Sequence, residues 1–250
     1  MKLTLIRSAT LKLEYGSRCI LIDPAFSDKL TGPSFAGKSK NPLIDLPLSK
    51  EAILKDVDAI IVSHIHSDHF DKAAQEYLDK SLPILCQPNE EESIRAMGFA
   101  DVRPVAKRYR LGEVEITRTY AKHGSGSVQE EMGEASGFLF KAPGEPVVYW
   151  PGDTVLCDQV RSVLASEKPA VVITHSAGAV WGDGVKILFD EVETAEICQA
   201  LPSSTVVAVH LDSYDHGTVS RESLRAYASS RGLDEAQLRI PADGETLILE

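Results

Sequence analysis

The order of apolar and polar positions predicts strands first, then strands and helices in alternation. Leu3-Thr4-Leu5-Ile6, Thr10-Leu11-Lys12-Leu13-Glu14-Tyr15 and Cys19-Ile20-Leu21-Ile22 read as strands, the second by its period of two, with a turn at Gly16-Ser17-Arg18 and a stop at Asp23-Pro24. From Phe26 to Pro47, Gly, Pro, Ser and Lys recur without a period, which predicts a long loop serving as a flap over a site. Beyond it, strands are predicted over 57–62, 83–87, 114–118, 137–141, 147–150, 170–174, 205–209 and 246–249. Helices are predicted over 71–80, capped by Asp71, over 90–97, ended by Gly98, over 158–166 and 192–200, and over 221–230, stopped by Gly232. This order suggests two packed sheets with helices outside.

With 250 residues, 43% of them hydrophobic, the chain can bury one large core, and no linker divides it, so a single domain over 1–250 is expected. No run approaches the roughly 18 apolar residues that span a bilayer, and the opening residues lack a signal-peptide pattern, which predicts a soluble, cytoplasmic protein. Cys19, Cys86, Cys157 and Cys198 stand apart without Cys-x-x-Cys spacing and are expected as reduced thiols. A net charge of -11 opposes binding to nucleic acid or anionic membranes, leaving a small-molecule substrate as the expected partner and the oligomeric state open. The runs Glu90-Glu91-Glu92 and Glu130-Glu131 read as solvated surface.

The segment Ser63-His64-Ile65-His66-Ser67-Asp68-His69-Phe70-Asp71 changes the picture, because it places three of the seven histidines directly after the apolar run Ala59-Ile60-Ile61-Val62. His64 and His66 are two apart, so on an extended chain their imidazoles project to one side and converge on one cation. A turn at Asp68-His69 would swing both toward a second position. Imidazole with carboxylate suits zinc first, with manganese or iron as alternatives, whereas calcium or magnesium prefers oxygen alone. Three further segments end an apolar or alternating stretch in a candidate ligand: Thr119-Tyr120-Ala121-Lys122-His123, Val147-Val148-Tyr149-Trp150-Pro151-Gly152-Asp153 and Val206-Val207-Ala208-Val209-His210.

Taken in order, His64-Ile65-His66-Ser67-Asp68-His69, His123, Gly152-Asp153-Thr154 and His210 resemble the metallo-beta-lactamase superfamily over nearly the whole chain. Leu21-Ile22-Asp23-Pro24 is similar to the small metal-dependent hydrolases related to L-ascorbate-6-phosphate lactonase. The resemblance implies an αββα sandwich, two mixed β-sheets flanked by helices. It also implies two divalent metal ions, with His64, His66 and His123 on one, Asp68, His69 and His210 on the other, and Asp153 bridging. Two cations about 3.5–4 Å apart hold a bridging hydroxide for attack on a small ester, lactone or phosphoester, and Asp68 can also orient that nucleophile. Redox relatives carry Glu where this chain has His66, which favours hydrolysis. Antibiotic-hydrolysing relatives often place Cys in the second site, where this chain has Asp153, so a dedicated beta-lactamase is not expected.

His175, after Ala170-Val171-Val172-Ile173-Thr174, reads either as a leaving-group acid near the substrate or as a structural residue ending its strand. His216 reads as a loop residue or a pocket liner, and Trp181 with Gly182-Asp183-Gly184 as a pocket wall or plain surface. The alternatives are a phosphodiesterase or nuclease of the same fold and a metal-binding protein without turnover. The first, in its nuclease form, lacks the basic track it needs, and the second would normally close its site with four protein ligands.

Overall fold

The computed structural model describes residues 1–249. In chain order the first half supplies β1 (Lys2–Arg7), β2 (Thr10–Tyr15), β3 (Arg18–Ile22), α1 (Lys50–Leu54), β4 (Ala59–Ile61), α2 (Lys72–Tyr77), β5 (Ile84–Cys86), α3 (Glu91–Ala96) and β6 (Val102–Pro104). The second half begins with β7 (Arg108–Leu111), β8 (Val114–Ala121), α4 (Ser127–Met132), β9 (Ala135–Lys141), β10 (Val148–Trp150), α5 (Asp158–Glu167) and β11 (Val171–His175). It continues through the hairpin β12 (Val180–Trp181) and β13 (Val185–Lys186) to α6 (Glu191–Ala200), β14 (Thr205–Val209), α7 (Arg221–Ser230), β15 (Leu238–Arg239) and β16 (Thr246–Ile248).

These strands form two seven-stranded sheets, ordered β16-β1-β2-β3-β4-β5-β6 and β15-β14-β11-β10-β9-β8-β7. Each is mixed: β16 to β3 pair antiparallel and β3 to β6 parallel, while β15 to β10 pair parallel and β10 to β7 antiparallel. The αββα sandwich is therefore present.

Side-chain alternation explains the layers. Ile20, Ile22 and Ile61 join Phe138, Trp150, Ile173, Val207 and Val209 between the sheets. Leu21, Ile60 and Val62 face outward and pack with Phe70, Ala74 and Ile94 in the layer of α2 and α3. On the other side Val172, Val206 and Ala208 pack with Val160, Leu164, Ile197 and Leu224 of α5, α6 and α7. A strand buried on both faces has no polar side to show, which is why Ala59–Val62 reads as a continuous apolar run.

Boundaries moved inward where capping, not hydrophobicity, sets the end. Asp71 accepts from Ala74 N at 2.7 Å and starts α2 as expected, but the helix stops at Tyr77. The elements that the pattern missed, α1, α4, β6, β7, β12, β13 and β15, have two to six residues each, too few for a period to show. The 26–47 segment carries no strand or helix but closes on itself through the bridge Gly32↔Asn41. Among the described residues no helix is long and apolar enough to cross a membrane.

Candidate metal centre

Strand direction decides which residues meet. β10, β11 and β14 are parallel, and β8 is antiparallel to β9, itself antiparallel to β10, so all four run the same way. Their carboxyl ends share one edge, which receives His123, Asp153, His175 and His210. From the facing sheet, β4 leads into Ser63-His64. The backbone then turns back, with His66 O accepting from His69 N at 3.0 Å and from Phe70 N at 2.8 Å, and this brings Asp68 and His69 round to the same centre.

The strand ends are sharply bent. Asp23 and His210 lie in the left-handed region at φ 45° and 64°. Gly152 has φ 66°, and a Cβ there would lie 2.5 Å from Ser136 O, so only glycine lets Asp153 turn in. Strain of this kind costs roughly 1–3 kcal/mol per residue, against roughly 1.5–3 kcal/mol for each buried Ile, Leu or Phe beneath it. The core holds the bends, helped by Asp23 N→Ile61 O at 2.9 Å and by His210 N→Ser8 O at 3.0 Å, a bond that crosses between the two sheets.

Three of the imidazoles are oriented from behind. Asp23 accepts from Ser63 N (2.7 Å), from Ser63 Oγ (2.7 Å) and from His69 Nδ1 (2.7 Å). Ser63 Oγ, having given its hydrogen to Asp23, accepts from His64 Nδ1 at 2.9 Å. His123 Nδ1 donates to Ile187 O at 3.0 Å. These bonds place the protons on Nδ1 and leave the Nε2 lone pairs of His64, His69 and His123 facing inward. There they meet other ring nitrogens and a carboxylate oxygen: His64 Nε2 is 2.9 Å from His66 Nδ1, and His69 Nε2 is 3.1 Å from Asp153 Oδ2 and 3.4 Å from His210 Nε2. Asp153 Oδ2 also lies 3.9 Å from His64 Nε2 and 3.5 Å from His123 Nε2, while Asp68 Oδ2 lies 3.5 Å from His210 Nε2.

Buried lone pairs aimed at one another repel unless a proton or a metal cation stands between them. The electrostatics agree. Burial opposes charge on His69, yet Asp153, Asp68 and Asp23 together hold its pKa well above the ordinary value. Burial would likewise raise Asp68 and Asp153, but His69 and the other imidazoles keep both well below the usual carboxylate range. Burial, and then His69 and His66, depress His64. Asp68 and Asp153 kept ionised, a depressed His64 and a His69 proton that a divalent cation would displace make a donor set such a cation takes, so these residues fit a metal. Two groups of converging donor atoms stand out, His64 with His66 and His123, and His69 with Asp153, His175 and His210.

His175 is not brought to the open side. It is fully buried, donates from Nδ1 to Asp153 Oδ1 at 2.5 Å and accepts Trp150 Nε1 on Nε2 at 2.9 Å. Both ring nitrogens are engaged behind Asp153, and the residue is absent from the cavity lining. Contact with a leaving group is not what this position offers. Glu90, expected on the surface, is also placed otherwise: it is buried, with Oε1 accepting from Ile65 N at 2.9 Å and Oε2 unpartnered. Burial pushes its carboxyl up to about 7. Only a helix-start pattern marked Glu90 in the sequence, and nothing local linked it to the histidines.

Over the centre lies a cavity of about 280 Å³ whose floor includes His66, Asp68, His123 and Asp153. Phe35, Met132, Trp181 and Ile187 give it an apolar mouth, with Glu131 and His216 at the side. Among the described residues no Lys or Arg and none of the four cysteines lines it. His216 is 95% buried, its Nε2 3.9 Å from Asp68 Oδ2, and burial pushes it down to about 4.

The model of the beta-lactamase superfamily domain matches residues 18–211. The UPF0173 protein YddR of Bacillus subtilis is 31% identical, over 98% of this chain and 99% of the relative. A possible metal-dependent hydrolase from Veillonella parvula superposes with a TM-score of 0.96 at 32% identity, covering 100% of this chain and 99% of that one. An isothiocyanate hydrolase from Delia radicum gut bacteria does so with a TM-score of 0.93 at 33% identity, with the same coverage of both chains. The His/Asp cluster at the strand ends, the sandwich that delivers it and these full-length likenesses agree: the chain belongs to the metallo-beta-lactamase superfamily, in its branch of metal-dependent hydrolases.

Proposed function

We propose that the chain hydrolyses small, uncharged electrophiles with an apolar substituent, isothiocyanates first among them, using two divalent cations with zinc the first candidate. His64, His66 and His123 would hold one cation and Asp68, His69 and His210 the other, with Asp153 between them. The observation that carries the substrate reading is the cavity itself: an apolar mouth over a floor of metal-ligand type, with no cationic side chain to meet a phosphoryl group. The likeness to an isothiocyanate hydrolase at 33% identity over the full chain supports it. Lactones and esters are the second reading, since their carbonyl carbon needs no cationic side chain either.

Bound cations supply Lewis acidity and lower the pKa of water toward neutrality. The chain's own residues do the rest. Asp68, buried at the floor, orients the attacking water and holds its proton. His175 positions Asp153 by fixing Oδ1, leaving Oδ2 for the centre. The apolar mouth binds the substituent and excludes bulk water. With an isothiocyanate, the water oxygen bonds to the central carbon as the carbon–nitrogen π bond breaks and nitrogen takes a proton. The resulting thiocarbamate releases amine and carbonyl sulfide, so that R–NCS and water give R–NH₂ and COS.

The test is turnover by the zinc- or manganese-reconstituted chain on a panel of benzyl isothiocyanate, a six-membered lactone, an aryl ester and an aryl phosphodiester. Release of benzylamine, faster than any phosphodiester cleavage, is expected. A fully metallated chain that cleaves the phosphodiester and leaves the isothiocyanate intact would overturn the substrate reading.

A further inference from the structure

One carboxylate beside the cavity is built into the flap and has no part in the metal centre. Asp215 is buried, between Tyr214 and His216, on the loop after β14. Its oxygens accept from Ser34 Oγ, from the amides of Phe35 (2.9 Å), Ala36 (3.2 Å), Lys38 (3.1 Å) and Ser39 (3.2 Å), and from Asn41 Nδ2 (2.8 Å). Asn41 Oδ1 in turn accepts Asp215 N at 2.9 Å, so the two residues bind each other reciprocally. Burial would raise the Asp215 carboxyl, but the bonds from Ser34, Asn41 and the flap amides more than offset it and hold the group ionised.

Backbone amides in a tight loop converge on an anion as in other anion-binding nests. Here the anion is a side chain from more than 170 residues away, as the separation of 181 from Ser34 shows. The stems of the same loop are held separately: buried Arg7 donates to Ala25 O, Ser27 O and Ile44 O, each at 3.0 Å. Stems and tip are thus fixed, and what the tip presents is Phe35. Its ring stacks on Tyr214 (centroids 5.6 Å apart, 6° between planes) and meets His216 edge-on (5.2 Å, 79°), with the remaining surface toward the cavity.

We propose that Asp215 is a positioning residue that fixes the 32–41 hairpin so that Phe35 forms the substrate wall, and that Phe35 selects electrophiles carrying a ring-sized apolar substituent. This deepens the isothiocyanate reading and rests on it for the substrate, while the anchoring of the flap stands on its own geometry. A neutral amide at position 215 would turn an NH₂ toward donors that already point inward, and the tip would lose its fixed position. Removing the Phe35 ring would deprive a phenyl substituent of its stacking surface and take little from a methyl one.

Two measurements test it. Kinetics of the metallated wild type, Phe35→Ala and Asp215→Asn with methyl and phenethyl isothiocyanate should show KM for the phenethyl substrate raised about 10-fold in both variants. The rise should be several-fold larger than for the methyl substrate and carried by KM rather than kcat. Amide hydrogen exchange should show the amides of residues 35, 36, 38 and 39 protected in the wild type and in Phe35→Ala but exposed in Asp215→Asn, at unchanged metal content. Unchanged protection in Asp215→Asn overturns the anchor. Equal KM changes for both substrates, or a fall in kcat together with metal loss, overturns the selectivity claim. If Asp215→Asn does not fold, Asn41→Ala, which removes a single reciprocal pair, takes its place. A wild type inactive on every isothiocyanate overturns the substrate reading alone; exchange then decides the anchor, and methyl and phenethyl esters of one acid decide the wall.

Discussion

The floor of the cavity and its mouth are held by different means. On the floor several residues of the cluster have a buried partner from a distant element: Asp23 on β3's end reaches Ser63 and His69, Ile187 O reaches His123, and Trp150 on β10 reaches Asp153 through His175. At the mouth the holding contacts join loops rather than strand ends: one carboxylate, Asp215, gathers the flap tip, and Trp181 Nε1→Glu131 Oε1 at 2.9 Å ties the β12–β13 hairpin to α4 at the surface. Where lone pairs must aim at a cation, redundant buried hydrogen bonds remove freedom. Where only a substituent must fit, loops suffice, and they can change without disturbing the floor.

The contrast is broken most directly at a proposed ligand. In His66→Ala, metal content after reconstitution with excess zinc should fall below two per chain, and activity should fall by more than the roughly 10–100-fold typical of outer-shell changes. Elemental analysis finding two metals in this variant with full activity would remove the cluster from the site. By the same contrast, Phe35→Ala must leave metal content intact.

Next in size is the support behind the floor. Asp23→Asn keeps a residue that tolerates positive φ, so it isolates the hydrogen bonds. An amide has one acceptor oxygen where Asp23 uses two, so its NH₂ must face either Ser63 N or the pair Ser63 Oγ and His69 Nδ1, and zinc affinity should weaken about 10–100-fold. Competition with a chelator measures it, and an unchanged affinity would show that the strand ends alone aim the rings.

The smallest effect concerns Glu90, whose carboxyl is raised by burial from 4.5 to about 7. A raised acid favours the protonated folded form, so its stabilising contribution is complete below pH 4.5 and is lost as pH rises through about 7. Glu90→Gln mimics the protonated form and should make the chain on the order of 2 kcal/mol more stable than wild type at pH 8, with little difference at pH 4. Denaturant unfolding at the two pH values checks the sign, and a variant equally stable at both would mean Glu90 titrates normally.

The sequence by itself determined the strands with two buried faces, because Ala59–Val62 and Val206–Val209 are apolar without interruption, and the order of His64, His66, Asp68, His69, His123, Asp153 and His210 after them. Such patterns are local: they need only the few residues of one element. What only the tertiary structure decided was where those strand ends point and what stands behind them. His175 ends an apolar strand just as His210 follows one, yet the fold puts the first behind Asp153 and the second beside His69. Glu90 reads like its neighbours Glu91 and Glu92 but is turned inward by the 3₁₀ turn Pro88–Glu90, and Asp215 meets its flap across more than 170 residues of chain. A hydrogen bond between residues so far apart leaves no periodic trace in either segment, since its geometry exists only after both sheets have packed.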